Sequence, residues 1–535
     1  MKTTSCLLLL ALGGCHEGTT ADTVRFANRP PVTLVDDRRD VPTPPKKYDP
    51  DHDHYAYKVS FQQPVDDALD MKRHLRALGV NSIDNVPDST WFTNRRDLSP
   101  EQVARGPMTI ESPELHTPWT VTRTKFGGAS LGFIVIDARG VKYLLKLEEA
   151  DYPEALTGAE AVISRLLWAC GLNVPEDDVV YFTADQLKLE PGGKASATQV
   201  TKTLAKATRT ADGRYRALAS RWIDGTSLGA TLSSGTRGDD PNDRIPHERR
   251  RDLRGMSVFY AWLDMTDAWP GNFLDSWVED HGRHYVMHYM LDFDSGFGLL
   301  GIRNRDKTAG HEYVFSWASI GSSTDLGIKK RAWEDRPRVN VPGVANTFTA
   351  EDLNPGHWRA SLQYEPFAEA DRFDSFWGAK ILAKITRPQI RAAVETGRFT
   401  DQRTIDYLTD TLVTRQHKIV AFWYGQVNPL DNFKLEDGLC FDDLAVAQGY
   451  VPAGTATSYE LVARDTKDKV IGQAVSIAGL PGGHTCVRLP ALASHRGYMI
   501  VEVSTKRPGV RGTTKVHISR GGPMDMPQVV GIYRT

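Results

Sequence analysis

The stretch YAWLDMTDAWPGNFLDSWVEDHGRHYVMHYMLDFDSGFG, Tyr260 to Gly298, constrains the fold most, because it sets carboxylates into what is otherwise a core-like run of aliphatic and aromatic residues. The apolar run Val258 to Leu263 reads as the end of a helix, and Pro270 with Gly271 makes the space between Asp267 and Asn272 a loop. From Asn272 to Glu279 apolar and polar residues nearly alternate, Asp280 to Gly282 supplies a turn, and Arg283 to Leu291 runs back, so a hairpin delivers Asp292. Loop Asp, then Asn, then a hairpin and a second Asp is what phosphoryl transfer requires. One carboxylate orients a hydroxyl, while an amide and another carboxylate hold Mg²⁺ through oxygen.

Asp267, Asn272 and Asp292 stand in the order of the catalytic-loop Asp, the Asn and the metal-binding Asp, which resembles the protein-kinase-like superfamily. The tail LDFDSGFG, Leu291 to Gly298, is most similar to the atypical branch that holds secretory-pathway and HipA-like kinases, and the loop reads Met265-Thr266-Asp267 where standard kinases have His-Arg-Asp. Upstream, Lys125 to Gly132 is a Gly-rich turn in which Gly127 and Gly132 have the separation of the outer glycines of a kinase loop, with Ala129 in the middle position. Lys146 lies between Leu145 and Leu147 in the second strand that follows. Glu160 falls in the first turn of a helix reading from Thr157 to Cys170, ended by Gly171.

The resemblance covers roughly residues 120 to 425 and implies a bilobal, kinase-like α+β fold. It implies Asp267 as the catalytic residue that orients the acceptor and Asn272 with Asp292 as Mg²⁺ ligands. Lys146 would contact the phosphates of ATP or another nucleotide, Glu160 would position Lys146, and Gly127 and Gly132 would cover the phosphates. Three other readings stay open on the residues alone. Asp267 caps a turn, Asp292 ends a strand and Glu160 complements a helix dipole; the site has decayed and the chain is a kinase-fold scaffold; or Asp264, Asp267, Asp292 and Asp294 serve a metal-dependent hydrolase.

At 535 residues the chain needs two or three cores. A net charge of −2 gives no basic field for nucleic acid, and the mixed-sign run His247 to Arg254 reads as a solvated helix face. The N-terminus MKTTSCLLLLALGGC has the layout of a signal peptide over 1–14, and Leu12-Gly13-Gly14-Cys15 resembles a bacterial lipoprotein processing site. That implies a lipid on Cys15, attachment to a membrane and residence in the bacterial cell envelope, periplasmic or outer membrane. An exported kinase meets little ATP and needs another donor or a special supply.

The expected order is a tether or extended arm (15–58), an N-terminal extension (59–119), a small β-rich lobe (120–225), a large helical lobe (226–431) and a β-sandwich-like domain (432–535). The string Asn85 to Arg95 resembles a motif of bacterial envelope proteins, and in it Trp91 and Phe92 are expected to pin the arm to a domain surface. The last domain carries no catalytic constellation, so packing or binding of a protein partner is its default role. Cys440 and Cys486 share that domain, where an oxidising compartment permits a bridge, and no cysteine or histidine spacing signals zinc.

Overall fold

The computed structural model describes residues 26, 31–63, 65, 75–125, 130–148, 153–300, 303–304, 310, 338–495, 497–520 and 526–535. Cys15, the signal segment and Gly127 lie outside them, as does most of a helical pattern expected from Pro64 to Leu78. No helix among the described residues is long and apolar enough to cross a membrane.

The fold is α+β. β1 (Trp119–Thr124), β2 (Gly132–Ile136), β3 (Lys142–Leu147), β4 (Asp177–Phe182), β5 (Leu187–Leu189) and β6 (Tyr215–Arg221) form one sheet in the order β4-β6-β3-β2-β1-β5. Its neighbours are antiparallel except β1 with β5. One face buries Trp119, Phe133, Leu145, Leu147 and Phe182 in a core of its own. The two-residue period of β3 then turns Lys146 to the opposite face. There the helix Ala155–Ala169 sets Ala161 against Val179 and Leu218. This helix is buried on nearly every side, because Val162, Ile163 and Leu166 belong to the core of the large lobe.

The large lobe holds β7 (Thr226–Ser227), β8 (Phe273–Asp280) and β9 (Arg283–Met290) in one small sheet, and the short pair β10 (Leu299–Leu300) and β11 (Arg303–Asn304). Around them pack the helices Ser257–Leu263, Arg372–Leu382, Arg387–Glu395 and Gln402–Gly425, centred on Trp262, Trp377 and Leu412. The indole of Trp262 donates to Leu412 O at 2.8 Å, which satisfies its one polar atom inside the core.

At the C-terminus, β12 (Leu430–Leu435), β13 (Leu439–Asp443) and β16 (His484–Val487) form one sheet. β14 (Ser458–Arg464), β15 (Val475–Ala478), β17 (Met499–Lys506), β18 (Thr514–Arg520) and β19 (Pro527–Arg534) form another. Leu430, Phe441, Tyr459, Leu461, Val501 and Val516 fill the shared core. Since β12 begins at Leu430, the boundary expected at 432 falls inside its first strand. Cys440 and Cys486 stand opposite each other on β13 and β16 and are joined by a disulfide, while Cys170 is buried and free.

The arm, expected as a tether or extended arm, runs extended over 31–50 into the helix His52–Tyr57 and is held by the body. Val41 N donates to His284 O at 2.6 Å, Tyr48 N to Leu228 O at 2.8 Å, and Thr90 N to the buried Asp37 carboxylate at 2.8 Å. Trp91 does act as a pin, stacking on His288 with ring centroids 3.5 Å apart. The run His247 to Arg254, read as a solvated face, is largely interior: His247, Arg250, Arg251, Asp252 and Arg254 are all buried. Arg251 pairs with Asp84 and Asp374 from other parts of the chain, while His247 pairs with Asp243 four residues before it and Arg250 with Asp252 inside the run.

Candidate active site

The site lies where the small-lobe sheet meets the hairpin of the large lobe. β2 and β3 place Gly132 opposite Lys146, and a Cβ at Gly132 would fall 2.0 Å from Leu145 O. Only glycine allows this approach of the two strands. Lys146 is 4% exposed; its ammonium lies 2.8 Å from both carboxylate oxygens of Glu160 and also donates to Asp292 Oδ1. Helix and hairpin thus grip one cation from two lobes.

Asp292 follows β9 with φ +57°, in the left-handed region that non-glycine residues rarely adopt. The hairpin register pairs Phe273 with Met290, and Leu291 N donates to Asn272 O at 2.8 Å, so the start and end of the hairpin stay side by side. Glu160, Asp292 and Asp294 each offer an oxygen within 4.8 Å of the others. Burial pushes the Asp294 carboxyl up to about 6, helped by the charge on Asp292. Burial also raises Asp292, but the Lys146 ammonium outweighs it and holds that carboxyl below the ordinary range. Lys146 itself resists burial and stays charged because Asp292 and Glu160 face it. Burial, with the charges on Asp292 and Asp294, raises the Glu160 carboxyl well above the ordinary range despite Lys146, so three acids crowd one close ammonium, although the Asp292 side chain is 43% exposed. An all-oxygen donor set of that kind fits a hard divalent cation such as Mg²⁺.

Asp267 sits in a loop fixed by neighbours rather than by secondary structure. Ala268 N donates to Leu362 O at 3.1 Å, and Asp267 N to Ser295 Oγ at 3.4 Å. Asn272 Nδ2 donates to Asp267 O at 3.0 Å, and its Oδ1 accepts from Trp269 Nε1 at 3.1 Å, so this amide braces the loop. Burial raises the Asp267 carboxyl, Asn272 partly offsets it, and the nearby Asp292 charge raises it further. Its Oδ1 is buried without a hydrogen-bond partner among the described residues, an acceptor left for a group from outside.

Asp264 does not join the cluster. Trp358 Nε1 donates to it at 3.0 Å and Arg415 pairs with it at 3.2 Å inside the helical core, so the four-carboxylate hydrolase set loses that member. Gly127 lies outside the described residues.

Three contributors had no clear signal in the sequence. Lys125, at the edge of the Gly-rich turn, donates to Ser130 and brings a second positive charge toward Lys146, Asp292 and Glu160. Asp177 on β4 is buried behind Lys146 with its carboxyl raised by burial to about 6. His52, from the arm helix His52–Tyr57, meets Trp269 edge-on at 4.8 Å, beside the loop that carries Asp267. No local motif connects an arm histidine to a loop two hundred residues on.

No family model matches the chain, and no curated protein matches it. Among solved structures the chain is similar to one described as a Helicobacter pylori proinflammatory kinase, CtkA. The identity is 13% and the TM-score 0.29, over 56% of this chain and 95% of that one.

Proposed function

We propose that this protein is an atypical kinase-like phosphotransferase that uses a Mg²⁺-bound nucleotide and a hydroxyl acceptor. The observation that carries the reading is the buried Lys146 ammonium, shared between Glu160 on a helix and Asp292 after a hairpin. A structural ion pair needs one carboxylate; here a second lies in the strained position beside a third, Asp294. In this reading Lys146 binds the nucleotide phosphates, positioned by Glu160. Asp292 with Asp294 and Asn272 holds Mg²⁺, and Gly132 keeps the covering strands close. Bound Mg²⁺ would offset the charge that develops on the transferred phosphoryl group. Asp267, with a raised carboxyl and an oxygen unpartnered among the described residues, accepts the acceptor's proton.

The same proposal takes the N-terminal segment as a signal peptide and Cys15 as the lipidated residue, so that the enzyme is held at a membrane of the cell envelope. Replacing Cys15 by Ser should move it to the soluble fraction. Unchanged membrane association, with no lipid detectable by mass spectrometry, would refute the anchor without touching the catalytic reading.

Calorimetry with ATP, GTP and ADP, each with and without Mg²⁺, tests the nucleotide site. Binding that requires Mg²⁺ is expected for at least one of them, and binding to none would overturn the proposal. Binding without phosphoryl transfer to any acceptor would select a scaffold with an inactive site.

A further inference from the structure

Away from the cleft, β13 and β16 carry a second cluster of metal-ligating side chains. Strand alternation sends Leu439, Phe441 and Val487 into the sandwich core and brings Cys440, Asp442, His484 and Cys486 together on the other face. The register sets Cys440 opposite Cys486 and Asp442 opposite His484. His484 Nδ1 lies 2.6 Å from Asp442 Oδ1, and Asn432 Nδ2 donates to Asp442 Oδ2 at 2.8 Å. The other ring nitrogen, Nε2, is aimed at Cys486 Sγ from 3.6 Å. Glu436 Oε2 stands 3.9 Å from Cys440 Sγ. The ligand atoms of Cys440, His484 and Cys486 all fall within 4.8 Å of one another.

We propose that this disulfide is the closed form of a zinc site, which opens when the bond is reduced by a dithiol. In the reduction the S–S bond breaks and two S–H bonds form. The dithiol supplies two electrons and two protons and becomes a disulfide itself. Zinc then forms two bonds to sulfur while both thiol protons pass to solvent. Cys440 and Cys486 as thiolates and His484 through Nε2 make three ligands of the types zinc takes, with water in the fourth position, and Glu436 stands beside Cys440 outside this cluster. Asp442 fixes the imidazole through Nδ1, the carboxylate–histidine arrangement that orients metal-binding histidines, and Asn432 in turn fixes Asp442. The two strands are already paired, so the metal would close the same link between β13 and β16 that the disulfide closes. Cysteine spacing gives no hint of this, since the two cysteines are 46 residues apart and the histidine joins through strand register.

Cobalt(II) and zinc titrations of the full chain, before and after treatment with a water-soluble phosphine, test the proposal. The reduced chain should show a sulfur-to-cobalt charge-transfer band, lost when zinc displaces the cobalt, and the oxidised chain should show none. The cleft carboxylates contain no sulfur, so cation binding there cannot produce the band. Asp442→Asn should weaken zinc binding by the reduced chain roughly 10–100-fold, the usual effect of losing a partner of a metal-bound histidine. His484→Ala leaves the disulfide in place, so it reports even if a Cys440→Ser, Cys486→Ser double variant fails to fold. No band after reduction, or undiminished affinity in reduced His484→Ala, would overturn the proposal.

Discussion

Arg534 Nε donates to Asp84 Oδ2 at 2.8 Å across 450 positions of sequence, while Asp84 Oδ1 accepts from Arg251 at 2.7 Å. The same guanidinium donates to Asn428 O at 3.0 Å, to Leu430 O at 2.6 Å and to Asp431 Oδ1 at 3.2 Å. One partly buried carboxylate therefore ties the last strand of the β-sandwich to the N-terminal extension and to the large lobe. A pair of isolated charges there would face a steep desolvation cost, and the carbonyls around Arg534 are what offset it.

This knot should make the protein acid-sensitive. Burial raises the Asp84 carboxyl, but Arg251 and Arg534 outweigh it and bring it from 3.8 down to about 2. A depressed acid stabilises the fold at pH values above its unfolded pKa, and that stability is lost as pH falls through the folded value. The shift corresponds to about 2 kcal/mol, lost between about pH 4 and pH 2. Urea unfolding across that range should show this loss in the wild type and a shallower one in Asp84→Asn. Equal slopes would mean that Asp84 is not held ionised by its arginines.

Arg251 should behave as an interior residue. It joins Asp84 to Asp374, whose Oδ1 lies 3.0 Å from Arg251 Nε. Arg251→Met leaves the buried Asp374 and the partly buried Asp84 without this cation, and breaking such a pair costs about 3–5 kcal/mol. A solvated helix face would lose well under about 1 kcal/mol. Denaturant midpoints distinguish the two outcomes.

That run also shows what the sequence could and could not disclose. Strand and helix texture around the site was legible: the hairpin observed as Phe273–Asp280 and Arg283–Met290 lies where alternation and the Asp280 to Gly282 turn place it. The placement of Lys146 in a strand was legible too, because a strand period is a local signal, whereas the helix starts at Ala155 instead of Thr157, so Glu160 lies in its second turn and not in its first. Charge composition, by contrast, cannot say that Arg251 and Arg254 find Asp374 more than a hundred residues later. The same limit hid His52 beside Trp269 and hid the role of Asp264, which sequence places next to Asp267 but the helical core claims through Arg415 and Trp358.

Lys146 and Glu160 should prove coupled. Lys146→Met leaves Glu160 buried beside Asp292 and Asp294 without its ion-pair partner, an expected loss of about 3–5 kcal/mol. Adding Glu160→Gln removes one of the stranded charges, so the double variant should recover part of that stability while remaining inactive. Purely additive losses would show that the two groups are not a functional pair.

The two loop acids should fail in different ways, because they face different partners. Asp292 touches Lys146 and belongs to the carboxylate cluster, so Asp292→Asn should abolish Mg²⁺-dependent nucleotide binding, by under-coordinating the cation and freeing Lys146 from one of its anchors. Asp267 lies outside that cluster, held by Asn272 and Ser295, with one oxygen unpartnered among the described residues. Asp267→Asn keeps the shape of the loop but removes the proton acceptor. Nucleotide affinity should stay within a few-fold of wild type while transfer falls by roughly 10²–10⁴, the range of a lost general base. Calorimetry and single-turnover assays on both variants read these two quantities separately. If Asp267→Asn loses nucleotide binding as completely as Asp292→Asn, the division of labour between the two acids is wrong, and a role for Asp267 in holding the loop takes its place.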